Sequence, residues 1–288
     1  MSIVYLDGDY LPIEEAKVSV LDRGFIFGDG VYEVIPAYGG RLFRLEQHLQ
    51  RLSNSLEGIH LKNPLNNIQW KQIIEEVVQR NDSSKEDQSI YLQVTRGPAK
   101  RDHVFPAKIS QTIFVMSTPM QAVSQDTLSK GVTAITHDDI RWRYCHIKAI
   151  ALLPNTLMRQ VAREAGADEA ILNRDGNITE GAASNVFIVK NGTIITPAKG
   201  ECLLPGITRD LILEIAADAG LDHSESDISL DDLQSADEIW LTSSTKEILP
   251  VTQLDNKPVG NGKPGPIWKD MLARYQQHKQ LLRTGDAH

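Results

Sequence analysis

The chain has 288 residues, 41% of them hydrophobic and 24% charged, the ordinary balance of a globular protein with enough length to bury a large core. Its 30 Lys and Arg stand against 38 Asp and Glu, and the resulting formal charge of -8 argues against nucleic-acid binding, because such a surface repels phosphate backbones. No stretch reaches the roughly 18 consecutive apolar residues of a membrane span. The start, Met1-Ser2-Ile3-Val4-Tyr5-Leu6-Asp7, lacks the basic region of a secretory signal. Two cysteines, Cys145 and Cys202, form neither a disulfide framework nor a metal-ligand spacing. The expectation is a cytoplasmic protein without metal, membrane or nucleic-acid partner.

In chain order, Ile3–Leu6 and Tyr10–Ile13 flank Asp7-Gly8, a dipeptide suited to the positive φ angles of a hairpin turn. Gly30–Ala37 is rich in β-branched and aromatic residues and predicts a strand. Leu45, Leu49, Leu52 and Leu56 repeat at helical spacing, with Gly58 as the expected stop, and a second helix is predicted over Ile68–Arg80. Strands over Ser89–Thr95 and Thr112–Ser117 follow. A polar, turn-prone stretch then divides a small N-terminal α/β domain, 1–118, from a larger C-terminal domain, 131–288, through a linker at 119–130. The second part opens with a strand over Val132–Thr136 and a helix over Asn155–Ala165, whose start Pro154 is expected to delay. Two hairpins come next, Ala170–Asn173 to Ile178 across Asp175-Gly176 and Asn185–Val189 to Ile194–Thr196 across Asn191-Gly192. Helices over Thr208–Ala219, Asp231–Ser235 and Ile267–Leu282 and a strand over Glu238–Thr242 complete the pattern. The hairpins exclude a purely parallel doubly wound sheet, so the fold class is α/β (α+β) in two domains.

Familiar chemical motifs are absent: there is no GxGxxG after a strand, no GxxxxGK[ST], no HExxH and no GxSxG. Cys145-His146 are neighbours in sequence, which does not make a catalytic dyad. Lys148, in Ile147-Lys148-Ala149-Ile150, is a candidate for Schiff-base chemistry, because apolar surroundings favour the neutral amine that reaction needs. A lysine snorkelling from a helix start would look the same. Glu180, in Thr179-Glu180-Gly181, reads either as a solvated turn residue or as an acid facing a ring nitrogen, with small neighbours that let a flat ring approach. Leu204-Pro205-Gly206-Ile207-Thr208-Arg209 leads into a helix whose N-terminus suits phosphate, with Thr208 as a plain N-cap the simpler alternative. Thr242-Ser243-Ser244-Thr245 offers hydroxyl donors after a strand.

Taken together in order, these pieces resemble the fold-type IV pyridoxal-phosphate enzymes, and within them the D-amino acid aminotransferases. The resemblance runs through Asp22-Arg23-Gly24-Phe25, Phe27-Gly28-Asp29-Gly30-Val31-Tyr32-Glu33-Val34 and His48-Leu49-Gln50-Arg51-Leu52. It continues in Gln93-Val94-Thr95-Arg96-Gly97, Arg101-Asp102-His103, Asp139-Ile140-Arg141-Trp142 and Ile147-Lys148, then in the segments around Glu180, Asn185, Thr208 and Ser244. It implies a cofactor, pyridoxal 5'-phosphate, between the two domains. Lys148 would be the catalytic lysine that joins the cofactor and moves the proton at Cα, and Glu180 would keep the pyridinium nitrogen protonated. Arg51, the N–H groups of Ile207 and Thr208, the Thr208 hydroxyl and Ser244 would hold the phosphate. Leu204 would pack on the ring face, and Arg141 would lie near the ring's phenolic oxygen or stabilise that region.

By the same resemblance Tyr32, Arg101 and His103 trap the substrate α-carboxylate, the last two from a loop that reaches the neighbouring site of a homodimer. The implied reaction moves the amino group of a D-amino acid such as D-alanine to 2-oxoglutarate, giving pyruvate and D-glutamate. Aminodeoxychorismate lyase and branched-chain L-amino acid aminotransferase are the alternatives within the fold, and a cofactor-binding module without catalysis is the alternative outside it. Ala182, Ala183 and Pro205 depart from the D-enzyme pattern and bear on the side-chain range.

Overall fold

The computed structural model describes residues 2–81 and 86–285. The chain divides into two compact units, one of Met1–Gln121, Ile147–Leu152 and Leu282–His288, the other of Ala122–His146 and Leu153–Leu281. Lys148, which the sequence groups with the larger domain, therefore belongs to the first unit. The stretch read as a linker contains a helix of the second unit, Gln125–Lys130. Its polar composition has a local cause: Ser124 Oγ accepts from Thr127 N–H as an N-cap, and the helix buries none of its residues.

In the first unit, β1 (Ile3–Leu6), β2 (Asp9–Pro12), β3 (Gly30–Tyr38), β4 (Arg41–Leu42), β5 (Gln88–Thr95) and β6 (Thr112–Pro119) form an antiparallel sheet ordered β2-β1-β6-β5-β3-β4. The short helix α1 (Arg23–Phe27) precedes β3, and α2 (Leu45–Gly58) and α3 (Asn67–Asn81) lie between β4 and β5. Strand periodicity turns Val31, Ile35, Leu92, Val94 and Val115 into one core with Leu49, Leu52 and Leu56 of α2 and Trp70, Ile74 and Val77 of α3. Glu33 shares this inward face of β3, a polar residue in a core position. Gly58 does not stop α2; it is the last helical residue, its added Cβ would lie 2.8 Å from Ile147 Cδ1, and the left-handed residue is His60.

The second unit begins with α4 (Gln125–Lys130), β7 (Val132–Asp138), α5 (Leu153–Glu164), β8 (Glu169–Arg174), β9 (Asn177–Gly181), β10 (Asn185–Lys190) and β11 (Thr193–Thr196). It continues with α6 (Ile207–Asp218), β12 (His223–Glu225), α7 (Leu230–Gln234), β13 (Glu238–Ser243), β14 (Glu247–Leu254), β15 (Lys257–Pro258) and α8 (Pro266–Thr284). The sheet is mixed, ordered β12-β11-β10-β13-β14-β7-β8-β9 with β15 on β14. Its parallel pairs are β11 with β12, β14 with β7 and β7 with β8. Val186, Ile188, Ile239, Leu241, Leu249 and Val251 are among its core residues. Pro154 does not delay α5: the helix starts at Leu153 and takes the proline in its first turn, where no N–H is needed. Among the described residues no helix is long and apolar enough to cross a membrane, and no group of three or more His, Cys, Asp or Glu could hold a metal ion.

Candidate active site

In the first unit, Lys148 lies in an extended segment beside β3 rather than at a helix start. Tyr32 N–H donates to Lys148 O at 3.0 Å and Ile150 N–H to Gly30 O at 3.1 Å, while Val31 and Ala149 form an antiparallel bridge. From the helix side, Ser55 Oγ of α2 accepts the Lys148 N–H at 3.1 Å. The backbone is thus fixed on both flanks, and Nζ stands 4.2 Å from the centroid of the Tyr32 ring. That ring stacks on Tyr91 at 5.7 Å.

Arg51 sits on α2 with its guanidinium clamped to Glu33: Nε donates to Oε1 at 2.8 Å and Nη2 to Oε2 at 2.7 Å. His48, one turn earlier, places Nδ1 2.7 Å from the same Oε2. Burial alone would raise the Glu33 carboxyl, but the charge and hydrogen bonds of Arg51, with those of His48, hold it down at about 2. Burial pushes the His48 imidazole below its ordinary value, with the Arg51 and Lys148 charges acting in the same direction against Glu33. That shift favours the neutral imidazole, whose Nδ1 faces the Glu33 carboxylate.

Arg101 and His103 are exposed and gather on Phe27, the Arg101 Cζ at 5.5 Å and the His103 ring at 5.4 Å from the Phe27 centroid. Two arginines and a glycine shape their loop. Arg23, paired through Nε with Asp29, donates from Nη1 to Asp102 O at 2.6 Å, and Arg96, on the same Asp29 oxygen, covers Phe105 at 3.7 Å. Gly97 enters the loop at φ +83, where an added Cβ would come within 1.7 Å of Ser110 O. The structure brings Arg101 and His103 together, and it gives neither a ring contact nor a hydrogen bond to Tyr32 within the described residues of one chain.

In the second unit, Glu180 is a buried strand residue at the end of β9, not a solvated turn. Oε1 accepts from Arg141 Nη1, and Oε2 accepts from Leu204 N–H at 3.0 Å and Asn185 Nδ2 at 3.2 Å. Arg141 is itself forked onto Asp139, Nε to Oδ1 at 2.9 Å and Nη2 to Oδ2 at 2.8 Å. Burial would lift the Asp139 carboxyl, but Arg141, helped by Arg174, keeps it below its usual value, and the two carboxylates hold Arg141 firmly cationic against its own burial. Arg141 thus pairs with both Glu180 and Asp139, and Nη2 also reaches Thr179 Oγ1 at 3.4 Å and the Cys202 carbonyl at 3.3 Å. Cys145 is buried and its thiol is pushed up to about 11, chiefly by burial, so it offers no thiolate nucleophile.

Ile207 and Thr208 open α6, and both are buried. The N-cap is Gly206, not Thr208, and it supplies no side-chain cap, so the first-turn N–H groups keep their capacity for an anion. Ser244 lies half-buried in the turn from β13 to β14. Thr242, across the β10–β13 ladder from Asn185, has a buried hydroxyl without a hydrogen-bond partner among the described residues. An orphaned hydroxyl on β13 and the uncapped N–H groups of α6 suit a phosphate ester, and a buried carboxylate held by Arg141 and Asn185 suits a ring N–H. The residues therefore fit pyridoxal phosphate. Sequence reasoning passed over Glu33, His48, Ser55, Asp139 and Asn185 as working residues. The available signal was polar types in core positions: Glu33 between Val31 and Ile35, and His48 and Arg51 on the leucine stripe of α2.

Comparison with known proteins gives the family. Residues 30–254 match the model of the family amino-transferase class IV. The chain is 40% identical over 273 residues to a D-alanine aminotransferase of Bacillus licheniformis, covering 95% of each chain. It is 37% identical to a D-alanine aminotransferase of Staphylococcus aureus strain COL, covering 96% of this chain and 98% of that one. Among solved structures it is similar to the branched-chain amino acid aminotransferase of Escherichia coli, at 28% identity and a TM-score of 0.91, covering 100% of this chain and 96% of that one. The PLP-bound form of a hypothetical aminotransferase from Mycobacterium tuberculosis matches at 26% identity and a TM-score of 0.85, over 99% of this chain and 100% of that one. With its Lys148 and Glu180 segments both inside the matched span, the chain belongs to the class IV aminotransferases, of fold type IV.

Proposed function

We propose that this class IV enzyme is a D-amino acid aminotransferase that uses pyridoxal 5'-phosphate to move the amino group of D-alanine to 2-oxoglutarate, giving pyruvate and D-glutamate. The observation that carries the D-amino acid reading is the pair Arg101 and His103, collected on Phe27 by a loop that Arg23 and Gly97 pin. The identity to D-alanine aminotransferases, higher than that to the branched-chain enzyme, supports it.

The bound cofactor would supply an electron sink for the pair left when the substrate Cα–H bond breaks. Lys148 Nζ takes the Cα proton and returns it during exchange, from a backbone that β3 and Ser55 keep still. Glu180 would keep a proton on the ring nitrogen, and Arg141 and Asn185 hold its carboxylate in place. Leu204, whose N–H and C=O bond Glu180 and Asn185, would pack on the ring face. Arg51, the N–H groups of Ile207 and Thr208, the Thr208 hydroxyl and Ser244 hold the phosphate. Tyr32, Arg101 and His103 bind the α-carboxylate, and fixing that group relative to Lys148 selects the hand of the bond that breaks. The resemblance has the Arg101 and His103 loop reach the neighbouring site, so that the trio is completed across a homodimer. Exposed Phe25, Val104 and Phe105 support such a contact by leaving apolar area near the loop.

The deciding experiment is a half-reaction. Protein loaded with pyridoxal phosphate is expected to lose its visible cofactor absorption on addition of D-alanine, with pyruvate formed, and to keep it with L-leucine. The similarity to a branched-chain enzyme makes the opposite result informative: loss with L-leucine alone would overturn the D-specific reading. Silence with both, followed by pyruvate release from aminodeoxychorismate without an amino acceptor, would assign the lyase instead.

A further inference from the structure

Glu33 occupies a position where β3 turns Val31 and Ile35 into the core, and it is wholly buried. A buried ion pair seldom stabilises more than apolar side chains of the same volume, so its place here calls for a reason other than stability. Its three close contacts supply one. Oε1 and Oε2 take the Nε–Nη2 edge of Arg51 at 2.8 and 2.7 Å, and Oε2 also faces His48 Nδ1 at 2.7 Å. Any anion that reaches Arg51 then finds the guanidinium plane already set. His48 fixes the carboxylate rather than the arginine, and its Nε2, buried without a partner among the described residues, accepts no competing proton donor. His48, Arg51 and Ser55 follow one another at i, i+3 and i+7 on α2, and Ser55 holds the Lys148 backbone. One helix face thereby positions both the phosphate arginine and the reactive lysine.

We propose that Glu33, braced by His48, is a positioning residue for the cofactor phosphate, acting through Arg51 by fixing the orientation of its guanidinium before the phosphate arrives. This rests on the assignment of Arg51 to that phosphate. Simple electrostatics and a pre-set guanidinium give opposite signs. Removing a negative charge beside the phosphate should tighten binding if charge alone mattered, whereas loss of a pre-set fork should weaken it.

The test compares the affinities of apo wild type and Glu33→Gln for pyridoxal 5'-phosphate and for pyridoxal, which lacks the phosphate, with inorganic phosphate as competitor. Wild type is expected to prefer the phosphorylated form by about 100-fold or more, as paired charge-assisted hydrogen bonds allow. Glu33→Gln is expected to cut that ratio by about tenfold or more, through the phosphorylated ligand, while pyridoxal changes by less than about threefold. Inorganic phosphate should compete correspondingly less well. An unchanged ratio, a tighter phosphate, or equal weakening of both ligands would overturn the proposal, the last by making Glu33 merely structural. A wild type without phosphate preference would instead remove the Arg51 assignment itself, and with it this inference. Should Glu33→Gln not fold, Glu33→Asp keeps the charge pair but cannot span the same fork. It is expected to lower the ratio by about threefold or more, and an unchanged ratio there is equally fatal.

Discussion

Lys148 is held by its backbone, with Tyr32 and Gly30 on one side and Ser55 on the other, which leaves the side chain to move between roles without carrying the segment along. A proton carrier needs that combination of fixed anchor and mobile tip. Lys148→Ala is expected to abolish the borohydride-reducible covalent link to the cofactor and to lower turnover by about 10³-fold or more, since both the link and the proton transfer go with the amine. A retained covalent link or near-normal turnover would displace Lys148 from the centre of the reaction. Residue type against apolar or small neighbours marks Lys148 and Glu180 only as candidates; the roles proposed for them come from the ordered resemblance along the chain. Arg141 was legible only as a residue: its hold on Glu180 spans 39 positions, and no spacing rule reaches that far. The same holds for Glu33 with His48 and Arg51, where strand and helix must first be packed before the three polar groups meet.

At the scale of elements, the start of α6 shows how close packing rather than backbone freedom can demand a glycine. Gly206 has an ordinary φ of -70, yet an added Cβ would lie 1.9 Å from Asn185 Oδ1. Asn185 Nδ2 in turn bonds Glu180 and the Leu204 carbonyl. Gly206→Ala should therefore cost about 1–3 kcal/mol by overpacking and weaken pyridoxal phosphate binding through the displaced Asn185. Gly200→Ala, in open space without unusual φ, should be near neutral. Thermal melts and cofactor titrations of the two variants check this, and equal behaviour would refute the packing argument. The hairpins were plain in the sequence, because Asp7-Gly8, Asp175-Gly176 and Asn191-Gly192 all take the positive φ pairs their composition suits. Strand β14 was not, since Pro250 removes a ladder donor and the strand carries an irregular register between Val251 and Gln253. Helix α4 was hidden for a different reason: an exposed helix with no buried residue leaves no apolar stripe to read.

For the whole molecule, the division into units separates Lys148, Tyr32 and Arg51 from Glu180, Ile207, Thr208 and Ser244, so the proposed chemistry draws on both. A chain-order reading put Lys148 in the later unit because it took the boundary as one cut, whereas 147–152 returns to the first unit and bridges β3. The carboxylate trio adds a further division, between chains. If Arg101 and His103 serve a neighbouring site, then Lys148→Ala and Arg101→Ala damage different chains of each site. Arg101→Ala alone is expected to lower kcat/KM for D-alanine by about tenfold or more, the worth of a charge-assisted pair of hydrogen bonds. Mixed dimers of the two variants would hold one doubly damaged site and one intact site. Random reassociation should then restore about a quarter of wild-type sites, against about a twentieth of wild-type rate from the averaged parents at D-alanine well below KM. Should Arg101 act within its own chain, each mixed dimer keeps a Lys148-deficient site and an Arg101-deficient site, and no activity above the average of the parents returns. The two arrangements differ in outcome because complementation requires that a whole site be assembled from two chains.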